Sequence, residues 1–164
     1  YTLEPAVDFD SLKDKCGSDF IILFRAHYFI ANSFDFKKYS GYVLNVSEYD
    51  DINDLYLISD ILITDYSSVF FDYANLKRPM LFYHYDLEEY KNKMRDFYFG
   101  TAMLPGPVIQ TQEKLENELN KILQDIRKGG SGLLKYEKAL NAFNTKFNPL
   151  EDGHSAERTV KEIF

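Results

Sequence analysis

The chain has 164 residues, 45% hydrophobic and 27% charged, which is apolar material for one core and too little for two. Its net charge of −7 argues against a nucleic-acid partner, because phosphate backbones are held by clustered Lys and Arg. No stretch approaches the roughly eighteen uninterrupted apolar residues of a membrane span, the first residues lack the basic-then-apolar pattern of a secretory leader, and the single cysteine, Cys16, fits a reducing compartment.

In chain order, Asp8 to Cys16 reads as a short helix stopped at Gly17. Phe20 to Phe24 is a continuous apolar run too short for a helix, which suits a strand buried on both faces. Tyr42-Val43-Leu44, Ile61-Leu62-Ile63 and Pro79 to Tyr83 repeat the pattern. Helical spacing falls between these runs, over Ile52 to Ser59 and over Ser67 to Leu76, and continues at Leu87 to Met94. A short strand at Val108-Ile109 then precedes a long amphipathic helix from Thr111 to Gln124. Lys128 to Gly132 reads as a mobile Gly-rich connector into a Leu133 to Phe147 helix, and Asp152 to Arg158 opens a last helix to Phe164. Strand and helix alternating at this interval predict right-handed βαβ units: a single α/β domain, residues 1–164, with a parallel sheet flanked by helices.

Parallel α/β sheets bind ligands beyond the carboxyl ends of their strands, so polar residues that follow each apolar run are the candidates. Arg25 and His27 share one side of an extended backbone and suit a phosphate; the competing reading pairs Arg25 with a surface carboxylate and leaves His27 a satisfied histidine. Asp65, Ser67 and Ser68 fall at a helix start, where hydroxyls and unpaired N–H groups suit an anion, or where one of them simply caps the helix. Asp72, one turn on, faces either the cleft or solvent. Arg95 is a second phosphate clamp or an ordinary surface arginine. His84, among Tyr83, Tyr85 and Asp86, reads as a loop histidine hydrogen-bonded in place and is assigned no role. The scattered histidines and the lack of a Cys pair give no metal site, so a metal-independent mechanism is expected.

The segments Arg25-Ala26-His27-Tyr28, Ser59 through Asp72, Lys77-Arg78-Pro79, Arg95 with Tyr98, Pro105-Gly106-Pro107, and Asp152-Gly153 before Arg158 occur in an order that resembles the CDP-glycerol glycerophosphotransferase family of teichoic acid polymerases and primases. The resemblance runs across essentially the whole chain. It implies a Rossmann-like domain, the C-terminal, donor-binding half of a GT-B type architecture, and hence a fragment of a larger two-domain enzyme. A further strand and an acceptor-side N-terminal domain would lie ahead of it. It implies His27 as the catalytic donor-site histidine, Ser67 and Ser68 as phosphate contacts, and Asp72 and Arg95 beside them; Arg25, at its strand end, joins them as a diphosphate-binding residue, with Asp65 and Arg158 as further candidates. A second histidine, the general base, would belong to the missing domain. Asp96 and Gly100-Thr101 depart from the family pattern around Arg95.

The implied reaction transfers glycerol phosphate from CDP-glycerol to a lipid-linked poly(glycerol phosphate) acceptor in wall teichoic acid synthesis, releasing CMP. CDP-glycerol is the donor substrate, with no cofactor and no metal. The parent protein would be cytoplasmic, peripheral on the inner face of the membrane, with the acceptor held through the missing domain; homo-oligomerisation is left open. Two rivals stand beside this reading: the donor half of another GT-B nucleotide-sugar glycosyltransferase, and a noncatalytic binding module.

Overall fold

Five short strands and six helices alternate along the residues described in the computed structural model, which are 6–26, 35–87 and 100–164. The strands are β1 (Ile22–Phe24), β2 (Val43–Asn45), β3 (Leu62–Thr64), β4 (Met80–Tyr83) and β5 (Val108–Ile109). The helices are α1 (Phe9–Cys16), α2 (Ile52–Ile58), α3 (Val69–Ala74), α4 (Gln112–Arg127), α5 (Glu137–Phe147) and α6 (Ser155–Ile163). All pairings are parallel: β1 lies beside β2, and β3, β4 and β5 are neighbours in that order.

The pleat of β4 shows how the sequence builds the layers. Its residues alternate sides. Leu81 and Tyr83 pack into a cluster with Phe9, Leu12 and Cys16 of α1 and Leu115, Leu119 and Ile122 of α4. Met80 and Phe82 pack against Phe70, Tyr73 and Ala74 of α3 and Leu140 and Phe143 of α5. β4 is the one strand buried throughout, as its unbroken apolar run predicts. β1 and β3 are only half-buried, and Leu44 of β2 is 44% exposed. These runs were expected to be covered on both faces; among the described residues β2 ends its ladder, and β1 and β3 each pair on one side only.

Caps set the helix ends. Asp8 Oδ1 accepts from Ser11 N at 3.0 Å and Asp51 Oδ1 from Asn53 N at 2.8 Å, each satisfying an orphan first-turn donor. α4 runs three residues past the predicted Gln124 and closes in a Schellman turn: Gly129 N donates to Ile126 O at 2.8 Å and Gly130 N to Asp125 O at 2.9 Å. Gly129 takes φ +84°, which glycine adopts without strain. The Asp125 carboxylate then accepts from Gly132 N at 2.9 Å, and Gly132 and Leu133 are buried. The Gly-rich stretch is therefore a fastened turn rather than the mobile connector its composition suggests. The predicted Leu87 to Met94 helix lies outside the described residues beyond Leu87.

Candidate functional site

Parallel pairing brings the carboxyl ends of β1 and β2 together in one ladder and those of β3, β4 and β5 together in the other, and the residues that follow these ends are the candidates. Arg25 follows β1. Its Nη1 donates to Tyr49 O at 2.6 Å and Val46 O at 3.3 Å, both in the loop after β2, while Ala26 N donates to Ser47 Oγ at 2.9 Å. One nitrogen thus fixes the guanidinium at the strand tips. Nε and Nη2 have no partner among the described residues and keep their donors for a ligand. The surface carboxylate that competed for Arg25 in the sequence is not its partner. His27, two residues on, lies outside the described residues, as does Arg95.

After β3, Asp65 Oδ1 accepts from Ser67 N at 3.1 Å, folding the chain into an Asx turn that leads into α3. Helix α3 begins at Val69, two residues later than expected, with Ser68 as its N-cap residue but with no side-chain capping bond. Ser67 and Ser68 are exposed, and among the described residues their hydroxyls are uncommitted. The helix has only six residues, so its dipole is weak and the hydroxyls matter more than the field.

Beneath this turn lies a block that spacing alone did not reveal. The rings of Tyr66 and His84 stack at 4.5 Å, Tyr66 donates its hydroxyl to Asp86 Oδ1 at 2.8 Å, and His84 Nε2 lies 3.1 Å from Asp65 O. A carbonyl only accepts, so the proton sits on Nε2. His84 is 2% exposed, and burial pulls its pKa below the ordinary histidine value, although the Asp65 carbonyl and the nearby carboxylates of Asp65 and Asp86 oppose this. It is a neutral prop that holds the Asp65 turn. Burial, reinforced by the bond to Asp86, pushes the Tyr66 hydroxyl well above its usual range, so it stays a donor.

Tyr56 lies in α2. Its hydroxyl is pushed up by burial first and then by the charge of Asp72, while Arg25 acts in the opposite direction. Arg25 and Asp72 therefore both lie within electrostatic reach of one phenol. Asp72 is exposed and holds no hydrogen bond among the described side chains. Arg158 stands apart. Its Nη1 reaches both Asp152 oxygens at 2.8 Å, and Nη2 donates to Leu150 O, so it closes the loop before α6.

A cavity of about 310 Å³ between β5 and α4, lined by Pro107, Val108, Lys114, Lys121 and Tyr136 among others, contains none of these residues. Its Lys121 is paired with Glu118 at 2.6 Å. Among the described residues no group of three His, Cys, Asp or Glu could hold a metal ion, and no helix is long and apolar enough to cross a membrane.

A family model described as CDP-glycerol:poly(glycerophosphate) glycerophosphotransferase matches residues 1–164. The chain is 40% identical over 165 residues to a teichoic acid poly(glycerol phosphate) polymerase of Bacillus subtilis, covering all of this chain and 21% of that protein. It superposes on the wall teichoic acid polymerase TagF with a TM-score of 0.84 at 38% identity, over 97% of this chain and 37% of that one. A His-to-Asn variant of TagF soaked with CDPG matches with a TM-score of 0.80 at 38% identity, over 93% of this chain and 36% of that one. The chain thus spans between a fifth and two fifths of the proteins it matches. The likeness confirms the parallel α/β architecture of GT-B type expected from the sequence.

Proposed function

Because the chain belongs to the CDP-glycerol:poly(glycerophosphate) glycerophosphotransferase family, we propose that it is the donor-binding domain, residues 1–164, of a larger enzyme of wall teichoic acid synthesis. That enzyme transfers glycerol phosphate from CDP-glycerol to a lipid-linked poly(glycerol phosphate) acceptor. The acceptor hydroxyl attacks the phosphorus nearest glycerol, a new P–O bond forms, the bond to the CMP oxygen breaks, and the hydroxyl proton passes to a base on the acceptor side. The similarity to a polymerase examined with CDPG supports this choice of donor.

The observation that carries the reading is Arg25, held by two carbonyls after β1 with its Nε and Nη2 unused, together with the uncommitted Ser67 and Ser68 hydroxyls after β3. A diphosphate bridging them would take charge-assisted bonds from the guanidinium and neutral ones from the serines. His27 and Arg95 belong to this grip by resemblance. Asp72 is placed for the hydroxyls of ribose or glycerol. Asp65 contributes by shaping the turn. Catalysis comes from positioning and from donors aimed at the oxygens that gain charge, with no metal required. The enzyme works at the cytoplasmic face of the membrane, where its acceptor lies, through surfaces outside this chain.

Calorimetry on the full-length protein tests the reading. CDP-glycerol should bind more tightly than UDP-glucose, and Arg25→Ala should weaken it by about 10-fold or more, as expected for a lost charge-assisted bond. His27→Ala should slow CMP release on the order of a hundredfold. A preference for the sugar nucleotide would move the chain to another GT-B glycosyltransferase, and unchanged affinity in Arg25→Ala would remove that residue from the site.

A further inference from the structure

α3 carries Asp72 and starts directly after Ser67 and Ser68, yet it is too short to fix its own direction. It has six residues, and an isolated helix of that length is not stable in water, so its orientation is whatever its neighbours impose. Phe143 and Phe147 of α5 supply one contact. The Phe143 ring lies 5.7 Å from Phe70 and 5.3 Å from Phe71 between centres, and Phe147 stands edge-on to Phe71 at 5.5 Å. Such apolar contact draws α5 onto α3 but is non-directional, and it leaves the register open.

Two amides fix it. Asn144 and Asn148, one turn apart on α5 and next in sequence to those rings, reach the far end of α3. Asn144 Nδ2 donates to Ala74 O at 2.7 Å, and Asn148 Nδ2 donates to Phe71 O at 2.9 Å and to Asn144 Oδ1 at 3.1 Å. The last turn of α3 makes room for them. Asn75 N, which would bond Phe71 O in a regular α-helix, goes to Asp72 O at 3.2 Å. Leu76 N and Lys77 N likewise reach back three residues, to Tyr73 O at 3.0 Å and Ala74 O at 3.1 Å. The Asn148 amide therefore takes the place of a backbone donor at Phe71 O.

The helix is also tied to α2. The Tyr73 hydroxyl donates to Ser59 O at 2.8 Å, and Arg78 Nη1 donates to the same carbonyl at 2.6 Å and to Leu57 O at 2.8 Å. Asn148 is held in turn. Glu151 N donates to Asn148 O at 3.3 Å, and the Arg158 guanidinium, bound to both Asp152 oxygens and to Leu150 O, closes the loop that begins there. Arg78 and Arg158, each from a segment that stood out in the sequence, thus secure the two supports of α3. The ties to α3 itself fall on Phe71, Tyr73 and Ala74, whereas Ser68 at its front makes no capping bond. The helix is gripped at the rear and presents its front.

We propose that Asn144 and Asn148 are positioning residues for donor binding: their amides set the direction of α3, and with it the place where Ser67, Ser68 and Asp72 meet the phosphates and hydroxyls of the donor. The inference rests on the reading that those three residues contact CDP-glycerol; the asparagines act through α3 and not as ligands. The lever is short and sensitive. Pivoting a six-residue helix, about 9 Å long, by roughly 6° about its far end moves its front by about 1 Å, enough to break a hydrogen bond.

Asparagine-to-aspartate substitution in the full-length protein tests this, since a carboxylate of the same shape cannot donate to a carbonyl. In Asn144→Asp and Asn148→Asp the Kd and KM for CDP-glycerol should rise about 5-fold or more, the worth of one hydrogen bond to the donor, with the KM for the acceptor unchanged. Asn148→Ala, which adds no charge, should show the same rise. Glu116→Ala, on the opposite helical layer, separates positioning from stability: measured well below its melting temperature, it should bind CDP-glycerol as the natural protein does. Donor affinity within about 2-fold of the natural protein in the asparagine variants overturns the proposal. So does an effect confined to the aspartates, an equal loss in Glu116→Ala, or an acceptor KM that rises in step. If only one asparagine variant folds, that one decides; if none folds, the pair serves the fold alone and the proposal fails. A natural protein that does not bind CDP-glycerol would remove the reading of the site as well. Binding that Arg25→Ala weakens and the asparagine variants do not would remove only this inference.

Discussion

Replacing Glu116 probes the joint between α1 and α4, which fixes where the chain enters the sheet. Glu116 is 1% exposed, and its carboxylate accepts from Ser11 Oγ at 2.5 Å and Gln112 Nε2 at 2.9 Å and pairs with Lys15 Nζ at 2.5 Å. In Glu116→Ala two part-buried donors lose their acceptor and a void opens, a loss of about 3 kcal/mol; Lys15 is half in water and adds little. For a domain of this size that lowers the melting temperature by about 6–12 °C. Glu116→Gln keeps the shape and one acceptor oxygen and should lose about 1 kcal/mol. Burial raises the carboxyl pKa, but the bonds from Lys15, Ser11 and Gln112 outweigh it and hold the group below the usual carboxylate range. A folded pKa below the unfolded one means that this stabilisation is complete above about pH 4.3 and is lost as pH falls through the folded value. Thermal melts of the three proteins between pH 3 and 7 should rank Ala below Gln below the natural chain, with a flatter acid limb in the glutamine variant. A melting temperature for Glu116→Ala within about 1 °C of the natural chain would refute the reasoning.

His84 acts in a different window. Its folded pKa lies below the unfolded value of about 6.5, so stability is complete above that pH and falls as pH drops toward the folded pKa, by at most about 1.4 kcal/mol per pH unit for one proton. His84→Gln, which can still donate to the Asp65 carbonyl, should flatten the stability profile between pH 5 and 6.5 in urea titrations; an unchanged slope would mean another group is responsible. Gly106→Ala should destabilise by about 1–3 kcal/mol or prevent folding, because the added Cβ would stand 2.1 Å from Met80 O on the buried β4. Denaturant midpoints check this, and a loss under about 0.5 kcal/mol would show that the Pro105-Gly106-Pro107 turn can move aside.

The apolar runs were legible because β4 alternates between two helical layers, and so was the start of the first helix, where Asp8 caps its first turn. The carboxyl-edge rule led to Arg25 after β1 and to Asp65, Ser67 and Ser68 after β3 without any need of distances. What escaped depends on contacts remote in sequence. His84 was legible as a hydrogen-bonded loop histidine, but its partner was not, because that partner is the carbonyl of Asp65, 19 residues away, and carbonyls are the same at every position. The Gly-rich turn looked mobile because composition records backbone freedom and not the Asp125 carboxylate that removes it. Arg158, a further candidate in the sequence, has its guanidinium committed to its motif neighbour Asp152.

An acidic protein that grips a diphosphate must do so at short range. Asp65, Asp72 and Asp86 lie around the β3 and β4 tips, and at physiological salt their repulsion is damped beyond roughly 8 Å. Within that radius Arg25 has to prevail. Its Nη1 is bound to Val46 O and Tyr49 O, so little side-chain entropy remains to be lost when Nε and Nη2 meet an anion. A mobile lysine of equal charge would lack both that preparation and the forked geometry. Arg25→Lys should therefore recover little of the binding that Arg25→Ala loses, even though it leaves the net charge at −7. Salt should weaken donor binding less steeply than for a site that relies on long-range attraction, since the contacts that matter are closer than the screening length. Full recovery in Arg25→Lys would mean that the site reads charge alone, and the two carbonyl contacts would then have no part in recognition.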